Sequence, residues 1–120
     1  MKLTQQIVTL TALYLFASNC SGSLALDSSR TIEVHAHRFG FAPSEITVKK
    51  GETIRLTLVS DDVPHSLLLK DLGINQAVEK SHPSEVVFTA KQTGDFQGRC
   101  GRFCGNGHGR MTFMVHVTGN

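Results

Sequence analysis

From Thr31 onward, apolar and polar residues alternate in short runs broken by turn residues, and this period of two limits the fold more than any other feature of the chain. Ile32, Val34 and Ala36 alternate with Glu33, His35 and His37, and Ile54, Leu56 and Leu58 alternate with Arg55, Thr57 and Val59. Each run puts its apolar set on one side of an extended chain, as a half-buried strand requires. A run around Ile46 and Val48 and later ones at 66–70, 85–90, 95–100 and 112–117 follow, separated by Lys50-Gly51-Glu52, His82-Pro83-Ser84 and Thr93-Gly94-Asp95. No stretch carries a helical period. About seven strands with turns roughly every 8 to 12 residues predict an all-β, antiparallel Greek-key sandwich over residues 31–118.

The beginning of the chain has a different character. Lys2, an apolar run from Ile7 to Ala17 and then Ser18, Ser21, Gly22 and Ser23 read as an export signal over residues 1–25. The run is about 11 residues, well short of the roughly 20 that span a bilayer. Ser23-Leu24-Ala25 fits a cleavage site, while Leu15-Phe16-Ala17-Ser18-Asn19-Cys20 looks like a lipoprotein signal. Cys20 is therefore either the attachment point of a lipid anchor or is discarded with the segment. Either way the domain, preceded by a lead-in at 26–30, works in the periplasm or on the outer face of the membrane. Twelve Lys and Arg against ten Asp and Glu give a formal charge of +2, far below what a nucleic-acid-binding surface needs.

The chemistry concentrates in Cys100-Gly101-Arg102-Phe103-Cys104-Gly105-Asn106-Gly107-His108-Gly109-Arg110-Met111. Two thiols, an imidazole and a thioether form a soft sulfur and nitrogen donor set, suited to copper or zinc and unsuited to calcium or magnesium. The interleaved glycines remove side chains, so the backbone can turn those donors toward one centre. A further donor is expected from His65, in Ser60-Asp61-Asp62-Val63-Pro64-His65 between two predicted strands, with Pro64 stiffening the approach. Loops at one end of a sandwich can face each other across such a sequence separation.

Cys-x3-Cys-x3-His-x2-Met, preceded by an Asp-Val-x-His element, resembles the dinuclear copper (CuA) site of the cupredoxin domain of cytochrome c oxidase subunit II and nitrous oxide reductase. Phe39-Gly40-Phe41-Ala42-Pro43, Val48-Lys49-Lys50-Gly51 and Gly73-Ile74-Asn75 extend the similarity over nearly all of 31–117. The resemblance implies two copper ions, Cys100 and Cys104 as bridging thiolates, His65 and His108 each on one copper, and Met111 with the backbone carbonyl of Arg102 as weak axial ligands. Arg102 stands where the family usually has Glu. The resemblance also implies single-electron transfer with a redox partner protein, such as a c-type cytochrome or a terminal reductase. This chain alone holds no catalytic site, and at most it is the electron-entry subunit or an accessory of such a reductase. Subunit II ordinarily brings a transmembrane hairpin and a Trp-containing aromatic patch, neither of which is read here, so a freestanding exported domain is expected.

Other readings of the same residues stand beside this one. Cys100 and Cys104 could form a disulfide, a single Cys with Met and two His could hold one blue copper, and two Cys with two His could hold zinc. A periplasmic Cu(I) chaperone or storage protein would use the same residue types. Phe103 is expected to help bury the site. Phe39, Phe41, Phe88 and Phe96 read as core, His35, His37 and His116 as solvated strand faces, and His82 as turn.

Overall fold

In the computed structural model, which describes residues 29–119, the alternating runs become nine strands: β1 (Arg30–His37), β2 (Gly40–Ala42), β3 (Glu45–Lys49), β4 (Thr53–Ser60), β5 (His65–Leu69), β6 (Ile74–Val78), β7 (Ser84–Thr89), β8 (Gly94–Arg99) and β9 (Thr112–Thr118). The export segment, Cys20 and most of the lead-in lie outside the described residues. One sheet has the order β2-β1-β4-β7 and the other β3-β9-β8-β5-β6. No helix among the described residues is long and apolar enough to cross a membrane.

The faces follow the sequence period. Ile54, Leu56 and Leu58 of β4 are buried, as are Phe113, Val115 and Val117 of β9, while Met114 and His116 point outward. Phe41 and Phe113 meet edge to face across the core with ring centroids 5.8 Å apart. Burying each such side chain contributes about 1.5–3 kcal/mol. The Arg55–Glu85 ion pair on the outer face of β4 is half exposed, and such pairs contribute about 0.2–1 kcal/mol. Burial therefore holds β4, and the charges decorate it.

Two strand pairs depart from the antiparallel expectation. β1 runs parallel to β4, from Arg30↔Ile54 to Ala36↔Ser60, and β3 runs parallel to β9, from Glu45↔Met114 to Lys49↔Thr118. The period of two fixes which face is buried and is the same for either strand direction. β2 and β3 carry the chain back down, so β4 returns in the direction of β1. β2 is only three residues long, and in β6 the polar Gln76 takes the middle of the less exposed face between Ile74 and Val78, so neither shows apolar and polar alternation in the sequence.

This topology sets up one end of the sandwich. β8 and β9 pair from Gly94↔Val117 to Arg99↔Thr112, so residues 100–111 leave the sheet as a single loop. A hydrogen bond from the Cys100 N–H to the Met111 carbonyl (3.0 Å) closes the neck of that loop. β5 pairs with β8 at Leu68↔Arg99 and brings its first residue, His65, to the same end.

Two of the surface histidines are clamped by carboxylates. His35 lies between Glu33 and Asp61, both at 2.7 Å, and His116 between Asp95 (2.7 Å) and Glu45 (2.9 Å). The hydrogen bond to Glu45, then that to Asp95, raises the pKa of His116 above its usual value. A raised folded value makes the contribution complete below the unfolded pKa of about 6.5, and it is lost as the pH rises through the folded value. His116→Gln is therefore expected to lower the melting temperature more at about pH 5.5 than at about pH 9, with copper content unchanged. Equal losses at both pH values, read by calorimetry, would contradict this.

Candidate metal centre

The five donors of the motif and the Arg102 carbonyl that the resemblance adds meet at the loop end of the sandwich. The Cys100 sulfur lies 3.9 Å from the Cys104 sulfur, 3.9 Å from His65 Nδ1 and 3.0 Å from the Arg102 carbonyl oxygen. The Cys104 sulfur lies 3.9 Å from His108 Nδ1 and 3.8 Å from the Met111 sulfur. His65, Cys100 and Cys104 bring their donor atoms within 4.8 Å of one another, and all three are buried. Both thiols are free. Met111 is fully buried, while His108 is half-buried and forms part of a short 3-10 turn, His108–Arg110.

The orientation of His65 has a specific cause. Its Nε2 is 2.7 Å from Asp62 Oδ1, and Asp62 also accepts the main-chain N–H groups of Arg38 (2.8 Å) and Val63 (2.7 Å). Partial burial pushes the Asp62 carboxyl up, but the hydrogen bond from His65 and the two from the backbone outweigh it and hold it at about 2. An ionised carboxylate must accept, so the proton sits on Nε2 and the lone pair of Nδ1 faces the sulfurs. Asp62 thus sets the tautomer. The Asp-Val-x-His element contains this residue, but spacing alone assigns it no role.

The loop is held by close backbone approach. The Gly101 N–H donates to Ser66 Oγ (2.9 Å), and a Cβ at Gly101 would come within 3.0 Å of both that oxygen and Leu68 Cβ. Gly105 has φ +138°, a conformation that side chains strongly disfavour. The ring of Phe39 packs on Gly105 and Gly107, so closely that a Cβ on Gly107 would lie 2.3 Å from it. Phe39 therefore joins the edge of the core to the loop, a role that spacing alone did not reveal.

Phe103 corrects an expectation. Its side chain is 74% exposed and does not cover the site; the ring stands over His108 with centroids 5.9 Å apart. The loop turns Cys100 and Cys104 inward at an interval of four, and Phe103 between them is left facing out. On the inner side the Cys104 sulfur meets Met111, which is fully buried.

The donor set fits copper. Two thiols, two imidazole nitrogens, a thioether and a carbonyl oxygen offer soft and borderline ligands in a largely apolar setting. Burial, and then the neighbouring Cys100 sulfur, push the Cys104 thiol up to about 11. Two thiolates this close repel each other, and a bound cation is what stabilises them together.

Comparisons with known proteins agree with this chemistry. Residues 7–113 match the cupredoxin-like domain family. Cytochrome c oxidase subunit 2 of Thermus thermophilus is 35% identical over 87 residues, covering 72% of this chain and 64% of the relative. The same subunit of Artemia franciscana is 31% identical over 68 residues, 57% of this chain and 30% of the relative. The chain thus spans less than two thirds of the length of these relatives. Among solved structures, the periplasmic domain of subunit II of cytochrome oxidase of Bradyrhizobium japonicum shares the fold, with a TM-score of 0.69 at 21% identity over 75% of this chain and 84% of that one.

Proposed function

The chain belongs to the cupredoxin-like domain family, and from that premise we propose that it is an exported copper protein that carries single electrons through a dinuclear centre of the CuA type. The observation that carries the proposal is the convergence of the Cys100 and Cys104 sulfurs with His65 Nδ1, within 4.8 Å and flanked by His108 and Met111. Copper held there would supply reversible one-electron chemistry.

The residues divide the work. Cys100 and Cys104 would hold the copper together with His65, whose Nδ1 lies beside the Cys100 sulfur, and His108, whose Nδ1 lies beside the Cys104 sulfur. Met111 and the Arg102 carbonyl, as weak donors, would tune the potential more than they hold metal. Asp62 holds His65 in one tautomer and one orientation, and the Ser66–Gly101 and Cys100–Met111 hydrogen bonds fix the loop to β5 and β9. A scaffold that keeps its ligands in place keeps reorganisation small, which is what fast electron transfer requires. Residues 1–25 would direct export and be removed, and the partner would be an oxidase or another redox protein.

The carrier reading predicts a loop that owes its order to the scaffold. Amide exchange over Gly98 to Arg110 should differ only modestly between metal-free and copper-loaded protein. Free exchange without metal and strong protection with it would favour a copper-delivery role, which needs ligands that release one at a time. For the export segment, mass spectrometry of the protein from its native host should find a chain starting near Leu26 or a lipid-modified one at Cys20, and an intact Met1 would contradict both.

A further inference from the structure

We infer that Arg102 and Glu79 form a positioning pair, which keeps the Arg102 carbonyl oxygen turned toward the Cys100 sulfur and so sets its strength as a weak donor to the centre. The inference rests on the electron-carrier reading and adds two side chains to what tunes that centre.

Residue 102 faces two ways. Its carbonyl oxygen points inward, 3.0 Å from the Cys100 sulfur, while its guanidinium reaches outward, with Nη1 2.6 Å from Glu79 Oε1. The peptide unit between Arg102 and Phe103 makes no hydrogen bond to another main-chain group among the described residues. Its orientation is left to side chains. Phe103 is mostly exposed and gives little grip, so the Arg102 side chain is the main outer hold on this unit.

Glu79 is a firm anchor for that hold. It follows Val78, which pairs with His65, so the β5–β6 hairpin carries a proposed ligand and Ser66 and leads directly into Glu79. The chain just beyond is fixed twice: Lys80 bridges Ser60 of β4, and the His82 N–H donates to the Glu79 carbonyl (3.1 Å). On the loop side, the Gly101 N–H is held by Ser66 Oγ (2.9 Å). Consecutive loop residues are thus tied to one hairpin, Gly101 by its backbone and Arg102 by its side chain.

Arg102 and Glu79 are each about half exposed, and pairs in that setting add little to global stability. Choosing between two orientations of one peptide unit needs no more. A pair of this strength shifts such a local equilibrium by up to about fivefold. A carboxylate at position 102, which the cytochrome c oxidase subunit II family usually has, would repel Glu79, so the device belongs to this chain's combination of residues.

The test compares the wild-type chain with Glu79→Gln, Arg102→Gln, the double variant, and the reversed pair Glu79→Arg with Arg102→Glu. Surface substitutions of this kind leave the sandwich folded. In the metal-free chain, amide exchange at Gly101 should quicken about three- to fivefold in either single variant and no further in the double. The reversed pair should return it close to the wild-type value. In the copper-loaded chain, the ratio of oxidised to reduced centre is read against a redox dye of known potential in about 0.15 M salt, which screens exposed charges. A carbonyl oxygen is a hard donor that favours the more oxidised copper, so both single variants should move this ratio toward the reduced form. The expected change is about threefold, or about 28 mV for one electron. Direct charge effects alone would move the two in opposite directions, since one substitution removes a negative charge and the other a positive one.

Opposite shifts in the two single variants, or unchanged exchange at Gly101, would overturn the positioning role and leave the pair as a surface contact. Additive effects in the double variant, or a reversed pair no better than the single ones, would overturn it as well. A wild-type chain that forms no two-copper spectrum would instead overturn the carrier reading beneath it, while Gly101 exchange in the metal-free protein still decides whether the pair holds the loop.

Discussion

Cys100→Ser is expected to eliminate the proposed two-copper centre and to leave the sandwich folded. The Cys100 sulfur is the hub of the site, within 3.9 Å of Cys104, His65 Nδ1 and the Arg102 carbonyl oxygen. A hydroxyl there is a hard, weak donor with a shorter reach, and a single remaining thiolate cannot serve two metal ions in the same way. The fold should tolerate the change. Serine is close to cysteine in volume, and the Arg102 carbonyl can accept its proton, so the cost of about 1–3 kcal/mol for an unsatisfied buried hydroxyl is largely avoided. Copper analysis should therefore fall from two ions per chain to one or fewer, with the purple absorption lost and far-ultraviolet circular dichroism unchanged. A variant that still spread one electron equally over two coppers would contradict the assignment of Cys100.

Gly107→Ala should be the most damaging small change in the loop outside the donors. Gly107 has φ −97°, which alanine adopts without strain, so only space is at issue. The added Cβ would lie 2.3 Å from Cδ2 and Cγ of Phe39, near the root of that side chain, where the ring cannot simply swing aside. Overpacking of this kind costs about 1–3 kcal/mol, and the strain falls on the segment that carries His108. A loss of stability in denaturant unfolding together with weaker copper retention is expected. Phe39→Ala in the same chain should relieve part of it, with a coupling of about 0.5–3 kcal/mol in a double-mutant cycle. Strictly additive effects would mean that Phe39 and Gly107 do not press on each other.

Much of this was written in the sequence, for a physical reason that also marks its limit. Strand alternation reports burial, so the buried face of β4 and the outward placement of His116 could be read directly from residue order. It carries no information about neighbours, so the parallel pairing of β1 with β4 and of β3 with β9 was invisible. The motif spacing singled out Cys100, Cys104, His108 and Met111, because soft donors at fixed offsets among glycines have few other uses, while His65 came from its place between two strands and the Arg102 carbonyl only from the family resemblance. Residues that act by supporting donors bear no such mark. Asp62 looks like any turn carboxylate, Ser66 like a strand residue, and Phe39 like core. Phe103 was misread because hydrophobicity predicts burial on average, whereas a tight loop whose two Cys turn inward leaves the residue between them facing out.

Copper titration of the reduced, metal-free chain, followed by electron paramagnetic resonance of the oxidised product, bears most directly on the proposed electron-transfer centre. Saturation at two coppers per chain, with the hyperfine pattern of one unpaired electron shared equally by two copper nuclei, is the predicted result. Saturation at one copper per chain, with the electron confined to a single nucleus or with a colourless, readily exchanged Cu(I), would contradict it.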